Sequence, residues 1–532
     1  MFRKNTFFIL LSLYLLIGCG GGDNKSLSRN LDIVDITNRK PILITPYKHI
    51  SIKTGVKEKL HLQENKKATW ESDNKNIEID SNGIILAKES NNNSQATITI
   101  TPKDGSEPLY AYVSIVNWQV NLSNLTVVKR PTEISELITT SDDKKTLFVS
   151  AGSSLYKSTD YLETKELINS NFPSLNWDPF LLKTRYGHYL RMANKIYETD
   201  HAFSYFYETA TDIYDDYATE HPGLKHAFAY DANNDYIFAG EYSLDKNNLH
   251  SVYRGKVTPT GLTNWEKIKE FDSAVNASVN SVLHIHTVTV DPYTSTVWVG
   301  TGDSDNESRL YYSNDHGESW NLFAIGSQYY RILSMWFTKD YIYWNTDSDL
   351  VNQAISRVKR TDLKQSMLTP RLESGETKVG VKYFVYRSDG TLPPADTVYQ
   401  ESEKRELSQE NIVYAVDDKD FDYREVVANL NSGSHWYHLW VKDEKGEDLV
   451  IMATAPEGGK IDKRARVFGI KEKSDGKVDV QELYSFGKEE YAPYSTHMQL
   501  IPEFQDDKGF VYFKGRSTKS RIYKMKLEWK DQ

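Results

Sequence analysis

The sequence predicts an all-β protein in which a β-sandwich is followed by a seven-bladed β-propeller. The chain is rich in aromatic residues, with 35 Tyr, 20 Phe and 11 Trp, and aromatic side chains suit pleated sheets. Apolar and polar residues alternate with period two in short segments separated by turn residues. Toward the C-terminus, similar groups of strands recur with a period of roughly 40 to 60 residues, which is typical of propellers.

The first 19 residues have the order of a secretory signal. A basic start is followed by an apolar run over residues 7–17, which is too short to cross a hydrocarbon core of about 30 Å. The tripeptide Leu-Ile-Gly then precedes Cys19, the only cysteine of the chain. This arrangement resembles the lipobox of bacterial lipoproteins, and the alternative is an ordinary signal peptide. The resemblance implies an exported protein whose lipidated Cys19 holds it at the cell envelope, on the outer membrane and facing the surface.

Composition limits the partners of the protein. The net charge is −10 and the pI is about 5.8, which argues against nucleic acid and against a polybasic membrane patch. With a single cysteine no disulfide can form within the chain, so the cores alone must stabilise the domains. A length of 532 residues is sufficient for two or more domains. We expect a monomer that contacts the membrane only through its N-terminal lipid.

A predicted tether and a predicted sandwich follow the signal. Residues 20–30 are mostly Gly, Ser, Asn and charged residues, as in flexible linkers. Residues 31–123 alternate polar and apolar side chains in short segments, which is typical of a sandwich. Trp70 opens the segment Trp-Glu-Ser-Asp-Asn, and Asn82-Gly83 stands where a hairpin turn is expected. These motifs resemble the bacterial immunoglobulin-like (Ig-like) domain, which implies a spacer without chemistry of its own.

Residues 131–532 form the predicted propeller. Each repeat has an apolar strand, a second strand of aromatic and β-branched residues, and a third strand that usually contains a Tyr. The second strands begin at Thr146, His188, Tyr236, Thr296, Tyr341, Leu449 and Phe510. Repeats of four short strands close radially and leave no long exposed sheet edge.

One repeat contains the motif SNDHGESW. It resembles the Asp box of sialidase-like (BNR-repeat) propellers, and a weaker trace lies at residues 158–160. The Asp-box residues are Ser313, Asp315, Gly317 and Trp320. We expect the aspartate to accept backbone N–H groups, the glycine to adopt a positive φ and the tryptophan to pack between sheets. The motif therefore marks the scaffold, and the missing Arg-Ile-Pro motif argues against a sialidase.

Three further segments stand close to the Asp box in the sequence. They are Gly-Glu-Tyr at 240–242, Val-Tyr-Arg at 252–254 and His-Ile-His at 284–286. Together they resemble Asp-box propellers that include ulvan lyases and rhamnose–glucuronate lyases. The resemblance implies β-elimination on a uronate, in which a Tyr and a His transfer protons and an Arg neutralises the carboxylate. The residues implied are Tyr242 as acid/base, Arg254 as carboxylate clamp, and His188 or His226 as assisting base.

Other residues are candidates for ligand binding. They are Glu241, His284, His286, Trp344 and Trp436. The alternative is that Glu241, Tyr242 and His286 form a buried polar network beside the central channel, and that the two tryptophans pack in the core. No metal site is predicted and no cofactor is expected, although Asp303, Asp305 and Glu307 offer oxygen ligands for Ca²⁺. The alternative for these three is a solvated acidic loop.

Two functions remain open from the sequence. The chain has no Gly-x-Ser-x-Gly motif, no His-Glu-x-x-His motif and no phosphate-binding glycine loop, which argues against hydrolysis by those routes. The first candidate is a surface protein that binds a polysaccharide or glycoconjugate and cleaves it by β-elimination. The second is a non-catalytic propeller that binds a glycan or a protein on an Ig-like stalk.

Overall fold

The computed structural model describes most of the chain after residue 41. The described ranges are 42–44, 47–62, 66–88, 95–116, 118–120, 125–128, 134, 136–173, 180–192, 195–210, 227–242, 245–274, 281–303, 307–325, 328–348, 353–362, 382–387, 399–400, 411–416, 424–430, 435–454, 465–486, 499–516 and 521–530. The predicted signal, the tether and Cys19 lie outside these residues. Within them no helix is long and apolar enough to span a bilayer.

Two four-stranded sheets form the N-terminal part of the described chain. The first contains, in spatial order, β1 (Ile42–Ile44), β3 (Lys57–Leu62), β6 (Ile84–Ala87) and β5 (Ile77–Ile79). The second contains β2 (Tyr47–Lys53), β8 (Leu109–Val116), β7 (Gln95–Pro102) and β4 (Ala68–Ser72). The β1–β3 and β2–β8 pairs are parallel and the other pairs are antiparallel.

A single core lies between these two sheets. Residues on β7 alternate between exposed and buried positions, as expected for a strand with one face on a core. Ile52 and Ile98 of one sheet pack in the same cluster as Leu60 and Ile85 of the other. The two sheets therefore form a β-sandwich.

In the described part of the chain after the sandwich, seven sheets of four or five strands are here numbered sheets 1 to 7 in chain order. Sheet 1 contains β11 (Glu136–Thr140), β12 (Leu147–Ala151), β13 (Ser154–Ser158) and β14 (Glu166–Asn169). Sheet 2 contains β15 (Phe180–Lys183), β16 (His188–Met192), β17 (Lys195–Thr199) and β18 (Tyr207–Ala210). Sheet 3 contains β19 (Phe228–Asp231), β20 (Tyr236–Gly240), β21 (His250–Thr258), β22 (Gly261–Ser273) and β23 (Ser281–Val282). Sheet 4 contains β24 (His284–Val290), β25 (Val297–Gly302), β26 (Arg309–Ser313) and β27 (Asn321–Ile325).

The last three sheets each include a strand that is distant in sequence. Sheet 5 contains β28 (Ile332–Phe337), β29 (Tyr341–Thr346), β30 (Ala354–Lys359) and β34 (Glu425–Asn429). Sheet 6 contains β35 (His435–Lys442), β36 (Asp448–Thr454), β37 (Ala465–Glu472), β38 (Val478–Phe486) and β9 (Gln119–Val120). Sheet 7 contains β39 (Gln499–Gln505), β40 (Phe510–Arg516), β41 (Arg521–Lys526) and β10 (Leu125–Val127). Between β30 and β34 the chain forms a separate sheet of β31 (Lys382–Arg387), β32 (Tyr399–Gln400) and β33 (Asn411–Val416).

The seven sheets contact one another in a closed ring. The first strand of each, taken in the order β11, β15, β19, β24, β28, β35 and β39, contacts the first strand of the next, and β39 contacts β11. One apolar cluster lies at each boundary between neighbouring sheets. Every residue of β25 is buried, since a strand inside such a ring is covered on both faces. The described chain therefore has a β-propeller-type fold.

The ring begins earlier in the sequence than residue 131. Strands β9 and β10 precede that position, and they pair with β38 and β41 respectively. Gln119–Val120, which the sequence analysis placed in the Ig-like domain, therefore belongs to sheet 6. The alternating pattern did not reveal this because both strands are short and their partners lie hundreds of residues away.

The sandwich is joined to the ring by a buried carboxylate. Glu482 on β38 accepts a hydrogen bond from Ser51 Oγ at 3.0 Å and another from Trp118 Nε1 at 2.9 Å. Trp118 also packs in the apolar cluster between sheets 5 and 6. These contacts fix the sandwich strand β2 against sheet 6.

Candidate functional site

The predicted Asp box forms a compact turn after β26. Asp315 Oδ1 accepts hydrogen bonds from Ser313 Oγ at 2.7 Å and from the Ser319 backbone N–H at 2.9 Å. Gly317 has φ +99°, and an added Cβ there would overlap the side chain of Ile268. Hydrogen bonds from Ser319 lower the pKa of Asp315 to about 2. Asp315 thus has the expected acceptor role and Gly317 the expected positive φ.

The weaker trace in sheet 1 has the same geometry. Asp160 Oδ1 accepts hydrogen bonds from Ser158 Oγ at 2.8 Å and from the Thr164 backbone N–H at 2.9 Å. Leu162 stands where the complete box has glycine, and its φ is +74°. The acceptor pattern therefore persists although the glycine is replaced.

A cluster of polar side chains lies at the opposite end of the sheets from the Asp box. His284 begins β24, Tyr242 follows β20, Asp303 follows β25 and Arg331 precedes β28. Gly302 pairs with His284 at this end of sheet 4, whereas Ser313 pairs with Val297 at the other. Tyr242, His284, His286, Asp303 and Arg331 are called the histidine cluster below, and they mark the cluster end of the ring.

Three rings of the histidine cluster stack on one another. The centroid of Tyr242 lies 4.2 Å from that of His284, and the centroid of His284 lies 4.6 Å from that of His286. The strand pairing slips between Ile285 and Thr287, so that His286 lies at a β-bulge. Bulges redirect side chains, and this one brings both imidazoles to the same point.

The two histidines meet a carboxylate at that point. Nε2 of His284 lies 2.7 Å from Nε2 of His286, and Asp303 Oδ1 lies 3.2 Å and 3.1 Å from these two atoms. Both histidine side chains are buried, whereas 35 % of the Asp303 side chain is exposed. The cluster is therefore reached from solvent on the side of Asp303.

Arg331 is positioned by two carboxylates. Its Nη2 lies 2.9 Å from Asp303 Oδ1, and its Nε lies 3.5 Å from Asp347 Oδ2. Gln328 Nε2 donates to the backbone oxygen of Asp303 at 2.9 Å. Asp303 is thus fixed through both its side chain and its backbone.

Burial and hydrogen bonding together set the pKa values of His286 and Asp303. Burial lowers the pKa of His286, so that this imidazole is neutral. Burial alone would raise the pKa of Asp303, but the hydrogen bonds with His284 and His286 outweigh it and hold that pKa well below its usual range. The cluster combines neutral imidazole, an ionised carboxylate and a guanidinium, which are groups able to bind an anion or a cation or to transfer a proton.

The carboxylate of Glu241 is bonded to β21, although Glu241 directly precedes Tyr242 in the sequence. Its Oε2 accepts from the Ser251 backbone N–H at 2.6 Å, and its Oε1 accepts from Tyr253 OH at 2.9 Å. These bonds tie the end of β20 to β21. They match the alternative of a buried polar network stated for this residue.

The structure does not bring Arg254 to Tyr242. Arg254 Nη1 donates to the backbone oxygen of His316, inside the Asp box, and Nη2 forms ion pairs with Glu266 at 2.5 Å and Glu318 at 2.8 Å. Its side chain thus lies toward the Asp-box end, while Tyr242 lies at the cluster end. Arg331 is the arginine beside the cluster. The spacing in sequence did not show this because Arg331 belongs to a different sheet.

His188 is also distant from the cluster end. It begins β16, directly after the hairpin that joins β15 to β16, and its ring packs against Phe203 at 4.6 Å and His201 at 5.1 Å between centroids. Burial, with a smaller effect from His201, lowers the pKa of His188 to about 4. The structure therefore separates His188 from Tyr242, and His226 lies outside the described residues.

The two candidate tryptophans differ in what the structure describes. Trp344 is fully buried in the cluster between sheets 4 and 5, and its Nε1 donates to the Tyr329 backbone oxygen at 3.1 Å. It packs in the core, as in the stated alternative. Trp436 lies on β35, but its side chain is outside the described part of the chain. Its neighbours Tyr437 and His438 line the central cavity.

That cavity has a volume of about 220 Å³ at the centre of the ring. Its walls come from the first strands of sheets 2 to 6 and include Phe180, Phe228, Thr287, Ser334 and His438. His438 Nδ1 lies 2.5 Å from Ser334 Oγ. The cavity is mainly apolar, with this polar pair on one wall.

The predicted Ca²⁺ ligands do not form a described oxygen site. Asp303 directs its carboxylate to the two histidines and Arg331, while Glu307 Oε2 accepts from the Asp303 backbone N–H at 3.3 Å. Asp305 lies outside the described residues. Asp303 directly follows the second strand of sheet 4, and Arg331 directly precedes the first strand of sheet 5. Residues at these two kinds of position meet at one end of the ring, and this is the sequence signal that identifies both.

Comparisons with known proteins give no family for this chain. No family model matches it, and no curated protein matches it. Similar solved structures include the WD40 domain of Neurospora crassa Pan2, with 9% identity and a TM-score of 0.37 over 77% of this chain and 98% of that one. An ancestral GH74 enzyme has 12% identity and a TM-score of 0.30 over 77% and 54% of the two chains. Dihydro-heme d1 dehydrogenase NirN has 10% identity and a TM-score of 0.34 over 73% and 62%. These scores are too low to carry an argument about function, and the propeller-type fold rests on the sheets themselves.

Proposed function

We propose that this protein binds a carbohydrate that carries a carboxylate, at the cluster end of its ring. The observation that carries the proposal is the stack of Tyr242 on His284 beside the partly exposed Asp303 and Arg331. An aromatic face supports a sugar ring, and a guanidinium pairs with carboxylates.

The negative net charge of the chain favours recognition of the glycan at one local site over a general attraction between protein and glycan. The chain has a net charge of −10, which repels an anionic glycan at long range and less so at physiological ionic strength. Arg331, whose Nη2 lies 2.9 Å from Asp303 Oδ1, places a guanidinium at the partly exposed side of the histidine cluster. Recognition of a single uronate residue at this place fits such a distribution.

Affinity electrophoresis tests the binding. The native chain is run in gels containing polygalacturonate, alginate or a glucuronate-containing glycan, with a neutral glucan as reference. We expect retardation by at least one acidic glycan and a loss of roughly tenfold or more in affinity for Tyr242→Ala. Tyr293→Ala, which removes an aromatic ring that is 55 % exposed elsewhere, is the matched control and keeps the affinity. Equal retardation of both variants, or no retardation by any uronate, overturns the proposal.

A second function, β-elimination on the bound uronate, is favoured by the contact between Tyr242 and His284. A tyrosine next to an imidazole is suited to removal of the C5 proton and protonation of the leaving oxygen. Arg331, not Arg254, then faces the carboxylate. The test is absorbance of the unsaturated uronate product, which Tyr242→Phe is expected to abolish. An unchanged rate in Tyr242→Phe removes the tyrosine from the reaction, and retardation without any product leaves a binding protein.

We also propose that the chain is exported and anchored through lipid on Cys19, with an Ig-like sandwich as spacer and a seven-bladed Asp-box propeller as the binding part. The Leu-Ile-Gly-Cys order supports the anchor. Gly83, whose φ is +74° and whose added Cβ would lie 2.9 Å from Trp70 Cζ2, supports the Ig-like assignment. Metabolic labelling with palmitate tests the anchor: label is expected in the native chain and not in Cys19→Ser, and equal labelling of both contradicts it.

A further inference from the structure

Hydrogen bonds alone do not explain the short distances among His284, His286 and Asp303. The two Nε2 atoms lie 2.7 Å apart, and each lies within 3.2 Å of Asp303 Oδ1. Each Nε2 atom carries either a proton or a lone pair. If both Nε2 atoms are protonated, two donors face each other. If one is not, its lone pair faces the carboxylate of Asp303.

A metal ion satisfies all three contacts at once. Each of the three residues supplies one ligand atom to a group whose atoms all lie within 4.8 Å of one another. Two ligands about 2.0–2.1 Å from a tetrahedral Zn²⁺ are about 3.3 Å apart. To reach this value, the observed separations of 2.7, 3.1 and 3.2 Å need to widen by about 0.6, 0.2 and 0.1 Å.

The surroundings suit a bound cation. Arg331 Nη2 at 2.9 Å and Gln328 Nε2 at 2.9 Å from Asp303 atoms hold the aspartate in place, as outer groups commonly do for metal ligands. The positive charge of Arg331 is offset by Asp347, 3.5 Å away. The partly exposed Asp303 gives a path for entry and a side on which a fourth ligand can bind.

We propose that His284 Nε2, His286 Nε2 and the Asp303 carboxylate bind one divalent transition-metal ion, with the fourth position open to water or ligand. Two imidazoles and one carboxylate favour Zn²⁺ and its first-row neighbours over Ca²⁺ and Mg²⁺, which prefer oxygen ligands. This site departs from the sequence analysis, which expected no metal. It does not depend on the proposed carbohydrate function.

Calorimetric titration of the chelator-treated full chain with Zn²⁺ tests the inference. We expect one ion per chain with a dissociation constant in the micromolar range or tighter. Asp303→Asn and His286→Asn are each expected to weaken binding at least tenfold. His201→Asn, which removes an exposed histidine outside the cluster, and Cys19→Ser, which removes the single thiol, are expected to keep the native affinity.

A Co²⁺ titration gives an independent reading through its visible absorption, whose intensity reports four- or five-coordination by protein ligands. Circular dichroism checks that each variant is folded. If His286→Asn does not fold, the Zn²⁺ affinity of Asp303→Asn alone tests the metal site. Absence of stoichiometric Zn²⁺ binding, or equal affinity of native chain and Asp303→Asn, overturns the metal site. Failure of glycan binding in the electrophoresis does not contradict the metal site, since the Zn²⁺ titration contains no glycan.

Discussion

Gly302 lies directly against the imidazole of His286. A Cβ added to Gly302 would lie 2.9 Å from Nδ1 and 3.0 Å from Nε2 of that ring, which is closer than carbon and nitrogen atoms pack. The glycine therefore provides the space in which His286 reaches Asp303.

Gly302→Ala is expected to displace His286, to weaken Zn²⁺ binding at least tenfold and to lower the free energy of unfolding by about 1–3 kcal/mol, because overpacking strains a buried site. Calorimetry and denaturant unfolding measure the two effects. Gly105→Ala is the control, since Gly105 has φ +78° but no atom within 4 Å of an added Cβ. It is expected to lose stability without any loss of Zn²⁺ affinity, and a native affinity in Gly302→Ala contradicts the prediction.

Asp315→Ala is expected to lower the free energy of unfolding by about 1–2 kcal/mol, because three donors of the Asp box lose their acceptor. The pKa of Asp315 is about 2 in the folded chain against a usual 3.8. Its stabilising contribution is therefore complete above about pH 4 and disappears as the pH falls toward 2. Unfolding curves at pH 7 and pH 3 test both statements. Asp142→Asn, at a fully exposed surface position, is the control and should change stability by less than about 0.5 kcal/mol.

Glu482→Ala is expected to lower the free energy of unfolding by about 1–3 kcal/mol, because the buried Trp118 Nε1–H then has no acceptor from Glu482. Ser51→Ala removes only the second donor and is expected to cost about 1 kcal/mol. Limited proteolysis provides a local measurement, with faster cleavage between sandwich and ring in Glu482→Ala. Identical digestion of Glu482→Ala and the native chain would show that this carboxylate does not hold the two parts together.

His188→Asn is expected to flatten the dependence of stability on pH between about 4 and 6.5. The pKa of His188 is lowered to about 4 from 6.5, so in this interval the unfolded chain binds the additional proton. Stability therefore falls as the pH falls through that window, by about 3 kcal/mol in total. The groups around the imidazole are His201, Lys183, Asp142 and Asp200.

Denaturant unfolding at pH 4.5 and pH 7 measures this effect. The native chain should lose more stability than His188→Asn on acidification. His201→Asn, which alters an exposed histidine, should retain most of the native dependence. A native slope in His188→Asn would show that another group binds the proton.

Local features of this fold were predictable from the sequence. The hydrogen bonds of the Asp box span four residues or fewer, so the motif alone specifies them. Each of the seven predicted second strands lies at the second position of its sheet, because alternation and turn residues act locally. Strand β9 was placed in the Ig-like domain and β10 in no domain, because only their distant partners define them.

The candidate site was harder to predict for the same reason. His284 and His286 were identified because both belong to one short segment, His-Ile-His. Their carboxylate partner comes from the end of the next strand, and Arg331 comes from a neighbouring sheet. Arg254 lies close to Tyr242 in sequence, but it extends along β21 toward the Asp-box end. Proximity in sequence cannot distinguish the two ends of a strand once several strands surround a common axis.

The hydrogen bond from Thr126 to the backbone oxygen of Lys524 joins residues 398 positions apart. During synthesis, β10 therefore cannot pair with β41 until nearly the whole ring has been made. The sandwich has partners close in sequence and is free to fold while later strands are still being produced. A contact of such long range slows folding and leaves β10 without its partner strand, and open to pairing with other chains, until β41 has been made. Deletion of residues 125–127 should thus increase the fraction of the protein that aggregates during refolding. The free energy of unfolding of the folded protein should decrease only to a lesser extent.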